Sequence, residues 1–268
     1  MIDSPYLVVP GKKLKLSDRA TDDTDDFQDK ADASRATKKN LEKLDELQEL
    51  LYAEATRALL VVFQAMDAGG KDAAIEHVFS GVNPQGCSVT SFKAPTHLEA
   101  AHDFLWRHHD AAPRKGMIGI HNRSHYEAVL IERVHELVPK RVWQGRYDRI
   151  NEFERLLVDE GTTILKFFLH ISKDEQKRRL EKRLKDAHKN WKFNPADLKE
   201  RDRWDDYQSA YQDALEKCST EHAPWFVVPA DHKWFRNWAV SDAIVRTLAS
   251  LKMSYPAPAA GLDKIVIK

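Results

Sequence analysis

Lys71 follows two glycines and precedes an aspartate in LLVVFQAMDAGGKDAAIEHVF, Leu59 to Phe79. An apolar strand that runs into a glycine turn and then a helix leaves backbone N–H groups and a positive helix-dipole end facing whatever occupies the turn. Gly69 and Gly70 permit close backbone approach, and Lys71 adds a point charge suited to phosphate oxygens. The spelling departs from G-x-x-x-x-G-K-[ST] at both ends: Ala65 replaces the first glycine, and Asp72 stands where a hydroxyl would meet magnesium. Ala68, Gly69, Gly70, Lys71 and Asp72 are the candidate phosphate-binding residues. Asp67, inside the same loop, is an unusual charge to aim at phosphates unless a metal lies between them. A turn or N-cap aspartate is the alternative reading.

A second polar strand end occurs in MIGIHNRSHY, Met117 to Tyr126. Carboxyl ends of strands in an open α/β sheet face the ligand crevice, so Arg123 is a candidate phosphate ligand, against a surface ion pair as the plainer reading. Asn122 stands where such folds often carry a magnesium-binding acid, and Glu127, one helical turn on, could replace it. Asn122, Tyr126 and Glu127 are the nucleotide-side candidates.

The third feature is KDEQKRRLEKRLK, Lys173 to Lys185, where Arg178, Lys182 and Lys185 share a face by i, i+4, i+7 spacing. Either this is a solvated helix laced by Glu175 and Glu181, or it is a mobile basic lid, the reading favoured beside a phosphate loop. Trp191, Phe193, Trp204 and Tyr207, in the following WKFNPADLKERDRWDDY, are read as packing rather than base stacking. The twelve histidines form no HExxH spacing, and no GxSxG elbow is present. Phosphates, metal and cations must then carry the chemistry.

Several elements must position these residues. Apolar runs at 59–64, 87–92, 117–121, 163–171 and 225–228 read as buried parallel strands, and helical segments alternate with them. An α/β sandwich is implied. Leu41, Leu44, Leu47, Leu50 and Leu51 mark a helix over 37–58, suited to monomer packing or to an interface. Residues 1–35 read as an acidic, solvated arm, 36–252 as the catalytic domain with a lid near 173–205, and 253–268 as a proline/alanine-bearing tail.

The 268 residues carry 42 basic and 42 acidic side chains, so any polyanion must be gripped by local clusters rather than by net charge. Two cysteines without CxxC spacing exclude a disulfide or zinc framework. No signal peptide and no apolar run near the ~20 residues of a membrane span is found, which leads to the expectation of a cytoplasmic protein with no membrane or nucleic-acid partner.

FQAMDAGGKDAAIEHVFSGVNPQG, IGIHNRSHYEAVL, KFFLHISKDEQKRRLEKRL, WKFNPADLKERDRWDDY and APWFVVPADHKW together resemble the polyphosphate kinase type 2 family, in order, over roughly residues 35–250. The resemblance implies a P-loop kinase-like three-layer sandwich, similar to thymidylate kinase, with a central parallel five-stranded sheet and a helical lid. It implies reversible transfer of a terminal phosphoryl group between inorganic polyphosphate and a nucleotide, with Mg2+ or Mn2+, by a homo-oligomer. Its loop aspartate falls on Asp67 and its loop lysine on Lys71. Its arginines fall on Arg123 and Arg133, and its basic lid residues on Arg178, Lys182 and Arg183. Asn122 replaces an aspartate found in many members, which leaves Glu127 as the second metal carboxylate. NRSHYE resembles the subgroup that accepts both AMP and ADP; guanine nucleotides are a further candidate. An ATP-dependent nucleoside monophosphate kinase and a non-catalytic nucleotide or polyanion switch are the rival readings.

Overall fold

The structure, a computed structural model, describes residues 3–262 together with 265 and 267. Its strands are β1 (Ala58–Gln64), β2 (Cys87–Ser91), β3 (Ile118–Asn122), β4 (Thr162–His170) and β5 (Trp225–Pro229). They form one five-stranded sheet in the order β2-β3-β1-β4-β5, with every neighbouring pair parallel. Parallel strands carry helices on both faces, so continuous apolar runs are what such strands require. β1 and β5 are buried at every position. β2 differs from the expectation of a buried strand: it is the sheet's edge, and Ser88, Val89 and Ser91 are exposed.

The α-helices are α1 (Lys30–Glu54), α2 (Lys71–Val78), α3 (His97–Ala100), α4 (Trp106–Asp110), α5 (Ile131–Val134), α6 (Lys140–Asp159), α7 (Lys173–Lys185), α8 (Ala196–Asp202), α9 (Trp204–Cys218) and α10 (Lys233–Ser250). α10 packs on α1, α2, β4 and β5, and α6 packs on β4, α5 and α9. Two helical layers thus enclose the sheet. α1 begins before the apolar pattern does, because the Asp29 side chain accepts the amides of Ala31 and Asp32 and caps it. Leu44, Leu47 and Leu51 are buried within the monomer.

The N-terminal segment is not wholly the solvated arm that its composition suggests. Tyr6, Val8, Leu14 and Leu16 are buried. Val8 donates its amide to the Trp225 carbonyl and Val227 donates to Tyr6, both at 2.8 Å. Pairing there satisfies backbone groups that β5 would otherwise present as an open edge. Asp22, Asp23, Asp25 and Asp26 stay exposed. At the other end, SYPAPAAG is exposed, and Tyr255 donates its hydroxyl to Glu49 at 2.8 Å. Of the terminal LDKIVIK, positions 263, 264, 266 and 268 lie outside the described residues.

Candidate active site

β1 delivers the chain to the phosphate-type loop, and α2 starts at Lys71. Gly70 adopts φ 96°, and a Cβ there would stand 2.4 Å from Nη1 of Arg236. A Cβ on Gly69 would stand 2.5 Å from that of Ala65, so both positions demand glycine. Ala68 also takes a left-handed φ, 59°, the kind of strain that clusters at binding loops. Lys71 donates from Nζ to the Ala65 carbonyl at 3.0 Å. Burial, then the neighbouring Arg123 cation, pushes the Lys71 ammonium below the usual lysine range.

β3 runs beside β1, with Asn122 in register with Phe63. Immediately after it, Arg123 donates its amide to the Phe63 carbonyl at 3.0 Å and takes φ 62°. Its guanidinium lies 3.3 Å from the Asp67 carboxylate. Burial opposes the cation, but the Glu127 and Asp67 carboxylates outweigh it and hold Arg123 above the ordinary arginine range. Asn122 donates from Nδ2 to Asp72 at 2.5 Å, which ties the end of β3 to the start of α2.

A fully buried polar network anchors the segment after Arg123. Glu154 accepts from Tyr126 Oη at 2.9 Å and lies 3.0 Å from Nε2 of His125. Lys166 donates to Glu154 at 2.5 Å, to Tyr126 Oη at 2.8 Å and to the Cys218 carbonyl at 2.7 Å. Burial alone would raise the Glu154 carboxyl; the Lys166 charge and the His125 contact keep it ionised, below its usual range. A buried ion pair persists only when its remaining hydrogen bonds are met, as here.

A cleft of about 760 Å³ opens over the loop. From the loop it is lined by Asp67, Ala68, Gly70, Lys71 and Asp72; from the end of β3, by Asn122 and Arg123; from α7, by Lys182 and Arg183. Gly69 is buried within the loop. The structure places the other candidates elsewhere. Arg178 is exposed, paired with Glu175 at 2.9 Å, and lines a neighbouring surface depression that shares Lys182 with the cleft. Arg133 is held by Asp213 at 2.6 Å and lies over the Trp143 ring. Tyr126 belongs to the buried network rather than the lining. Glu127 lies outside the lining but close enough to support the Arg123 charge.

Residues not singled out from the sequence complete the cleft. Arg179, Lys189, Lys192, Lys233 and Arg236 add cations, and Asp197 an acid. Asp197 pairs with Arg183 at 3.3 Å, while burial and then the Asp67 carboxylate raise its carboxyl. Trp191, read as packing, is 77% exposed and lines the cleft.

No cluster of three or more His, Cys, Asp or Glu able to hold a metal exists among the described residues. Magnesium held largely by substrate phosphates needs only one or two protein carboxylates. Asp67, a cleft-lining carboxylate on the glycine loop itself, fits that requirement.

The family model described as polyphosphate kinase 2 matches residues 27–256. The chain belongs to the polyphosphate kinase 2 family. Among relatives of this polyphosphate kinase 2 chain, the AMP/ADP-polyphosphate phosphotransferase of Meiothermus ruber is 59% identical over 82% of each chain. The ADP-polyphosphate phosphotransferase of Rhodopseudomonas palustris is 52% identical over 77% of this chain and 76% of its own. The crystal structure of polyphosphate kinase 2 from Arthrobacter aurescens TC1 superposes with a TM-score of 0.92 at 43% identity, covering 95% of this chain and 92% of that one. The α/β, P-loop kinase-like architecture expected from the sequence is the one found.

Proposed function

We propose that this family member is a polyphosphate-dependent nucleotide kinase that transfers the terminal phosphoryl group of inorganic polyphosphate to ADP, AMP or both, reversibly. The convergence of cations from three parts of the chain on one phosphate loop carries this reading: Lys71, Arg123, and Lys182 with Arg183 line the same cleft. The names of the Meiothermus and Rhodopseudomonas relatives, which act on polyphosphate with AMP/ADP or ADP, support it.

Phosphoryl transfer depends on positioning and charge neutralisation more than on covalent work by the protein. A phosphate acceptor is already largely ionised at neutral pH, its second pKa being ~6, so no general base is required. Lys71 and Arg123 stabilise charge on the transferred group, and Lys182 and Arg183 grip the polymer, which brings about one negative charge per unit. Asp67 would hold magnesium or manganese, which when bound neutralises phosphate charge as a Lewis acid. The loop aspartate and the strand-end arginine orient the site around the reacting phosphates.

The test is ATP formation from polyphosphate and ADP with magnesium and no added ATP. Polyphosphate-dependent ATP formation supports the proposal; phosphorylation of AMP by ATP alone would favour a nucleoside monophosphate kinase.

A further inference from the structure

The carbonyl oxygens of six successive loop residues all have donors, and most of those donors are side chains. Lys71 donates to Ala65 and the Gly69 amide to Met66. Gln176 donates to Asp67 at 2.9 Å, Arg179 donates from Nη1 to both Ala68 (3.1 Å) and Gly69 (2.9 Å), and Arg236 donates to Gly70 at 3.1 Å. The first amides of α2 have no intrahelical acceptor and stay available to an anion.

Arg179 is committed in full. A guanidinium has five N–H donors. Those of Arg179 go to Glu175 from Nε, to Ala68 and Gly69 from Nη1, and to the Ala230 and Asp231 carbonyls from Nη2. It therefore bridges the loop to the turn between β5 and α10. Asp231 is fixed in its turn by the Ser172 amide and the Thr21 hydroxyl, both at 2.9 Å. Arg236 is 1% exposed and, among the described residues, has no carboxylate partner. Burial and then Arg179 lower its pKa to about 10. A buried cation without a counterion is costly unless hydrogen bonds carry it, and Arg236 spends its donors on the Gly70 carbonyl and on Oδ1 of Asn237.

We propose that Arg179 is a positioning residue, seconded by Arg236: its planar fork holds the loop carbonyls away from the cleft, so that the loop amides face the phosphates. With every donor used, it acts through the loop rather than on the substrate. The inference deepens the polyphosphate-dependent reading and rests on it.

Arg179→Lys keeps the charge but supplies at most three donors from a single nitrogen. The expected result is a fall in kcat of about tenfold or more, the scale of a small misplacement of reacting groups. KM for polyphosphate should stay within about threefold, and amide hydrogen exchange should quicken at 68–72 but not in β1 or β4. Parental kcat with unchanged loop exchange would overturn the proposal. So would a loss confined to KM for polyphosphate, which marks a substrate contact, or failure of the variant to fold, which marks a brace of the core. Parental turnover with polyphosphate and ADP is the control: its absence would fault the functional reading, while loop exchange still decides the role of Arg179.

Discussion

The Asp67 carboxylate lies 3.3 Å from Nη2 of Arg123, which joins the glycine loop to the end of β3. Both residues line the cleft, so the pair sits where metal and phosphate charge would meet. If Asp67 holds the metal, Asp67→Asn raises the magnesium concentration for half-maximal rate several-fold, because a neutral amide is a poorer ligand for a hard cation. A magnesium titration of the initial rate is the check. Unchanged magnesium dependence with a lowered Tm would identify a turn aspartate.

Lys71→Ala should lower kcat by about 10²-fold or more, the scale of one preorganised charge contact at a transition state. Among the described residues its side chain hydrogen-bonds only to the Ala65 carbonyl, so the Tm should shift by no more than a few degrees. Near-parental turnover in a folded variant would remove the loop from the chemistry.

The cations of α7 separate by position. Lys182 and Arg183 line the cleft, whereas Arg178 faces out beside Glu175. Gripping a polyanion along several cations makes affinity fall steeply with salt. Lys182→Ala combined with Arg183→Ala should raise KM for long polyphosphate and flatten its dependence on potassium chloride. Arg178→Ala should do neither, and equal effects from the two changes would mean that the whole helix surface engages the polymer.

Stability should fall on the acid side through buried histidines. His121 is 1% exposed, and burial lowers its pKa from 6.5 to about 4. Its folded pKa is depressed, so the unfolded chain binds the extra proton first. The stability involved is present above pH 6.5 and is lost as pH falls towards 4, with a slope of about 1.4 kcal/mol per pH unit for each such group. His170 behaves alike. Denaturant melts of the parent between pH 7 and 4, set against His121→Asn, should show a shallower acid slope in the variant. Parallel slopes would contradict the assignment.

The inner strands were legible because buried parallel strands spell continuous apolar runs, whereas the edge strand β2 is half exposed; the loop was legible because its signal is local. The inward face of α7 was not. Spacing grouped Arg178, Lys182 and Lys185, whereas the buried face carries Gln176, Arg179 and Leu180. In a run of adjacent cations, period alone does not say which one meets the protein. The Leu180 seam, flanked by Gln176 and Arg179, held the available clue, as did Arg236 beside Phe235 on the apolar side of α10. Lys166, alone in TILKFFL, likewise signalled a buried partner, but Glu154 could be paired with it only in three dimensions. Tyr126 was misplaced for the same reason: it follows a strand end, yet its hydroxyl turns into that network.

Phosphorus NMR of one mixture tests the central claim most directly. With long-chain polyphosphate, ADP, AMP and magnesium, and no added ATP, the account predicts loss of polyphosphate signal matched by growth of the ATP γ-phosphate resonance. That exchange should be slowed about 10²-fold or more by Lys71→Ala. An unchanged polyphosphate signal, with phosphate moving only among the nucleotides, would contradict it.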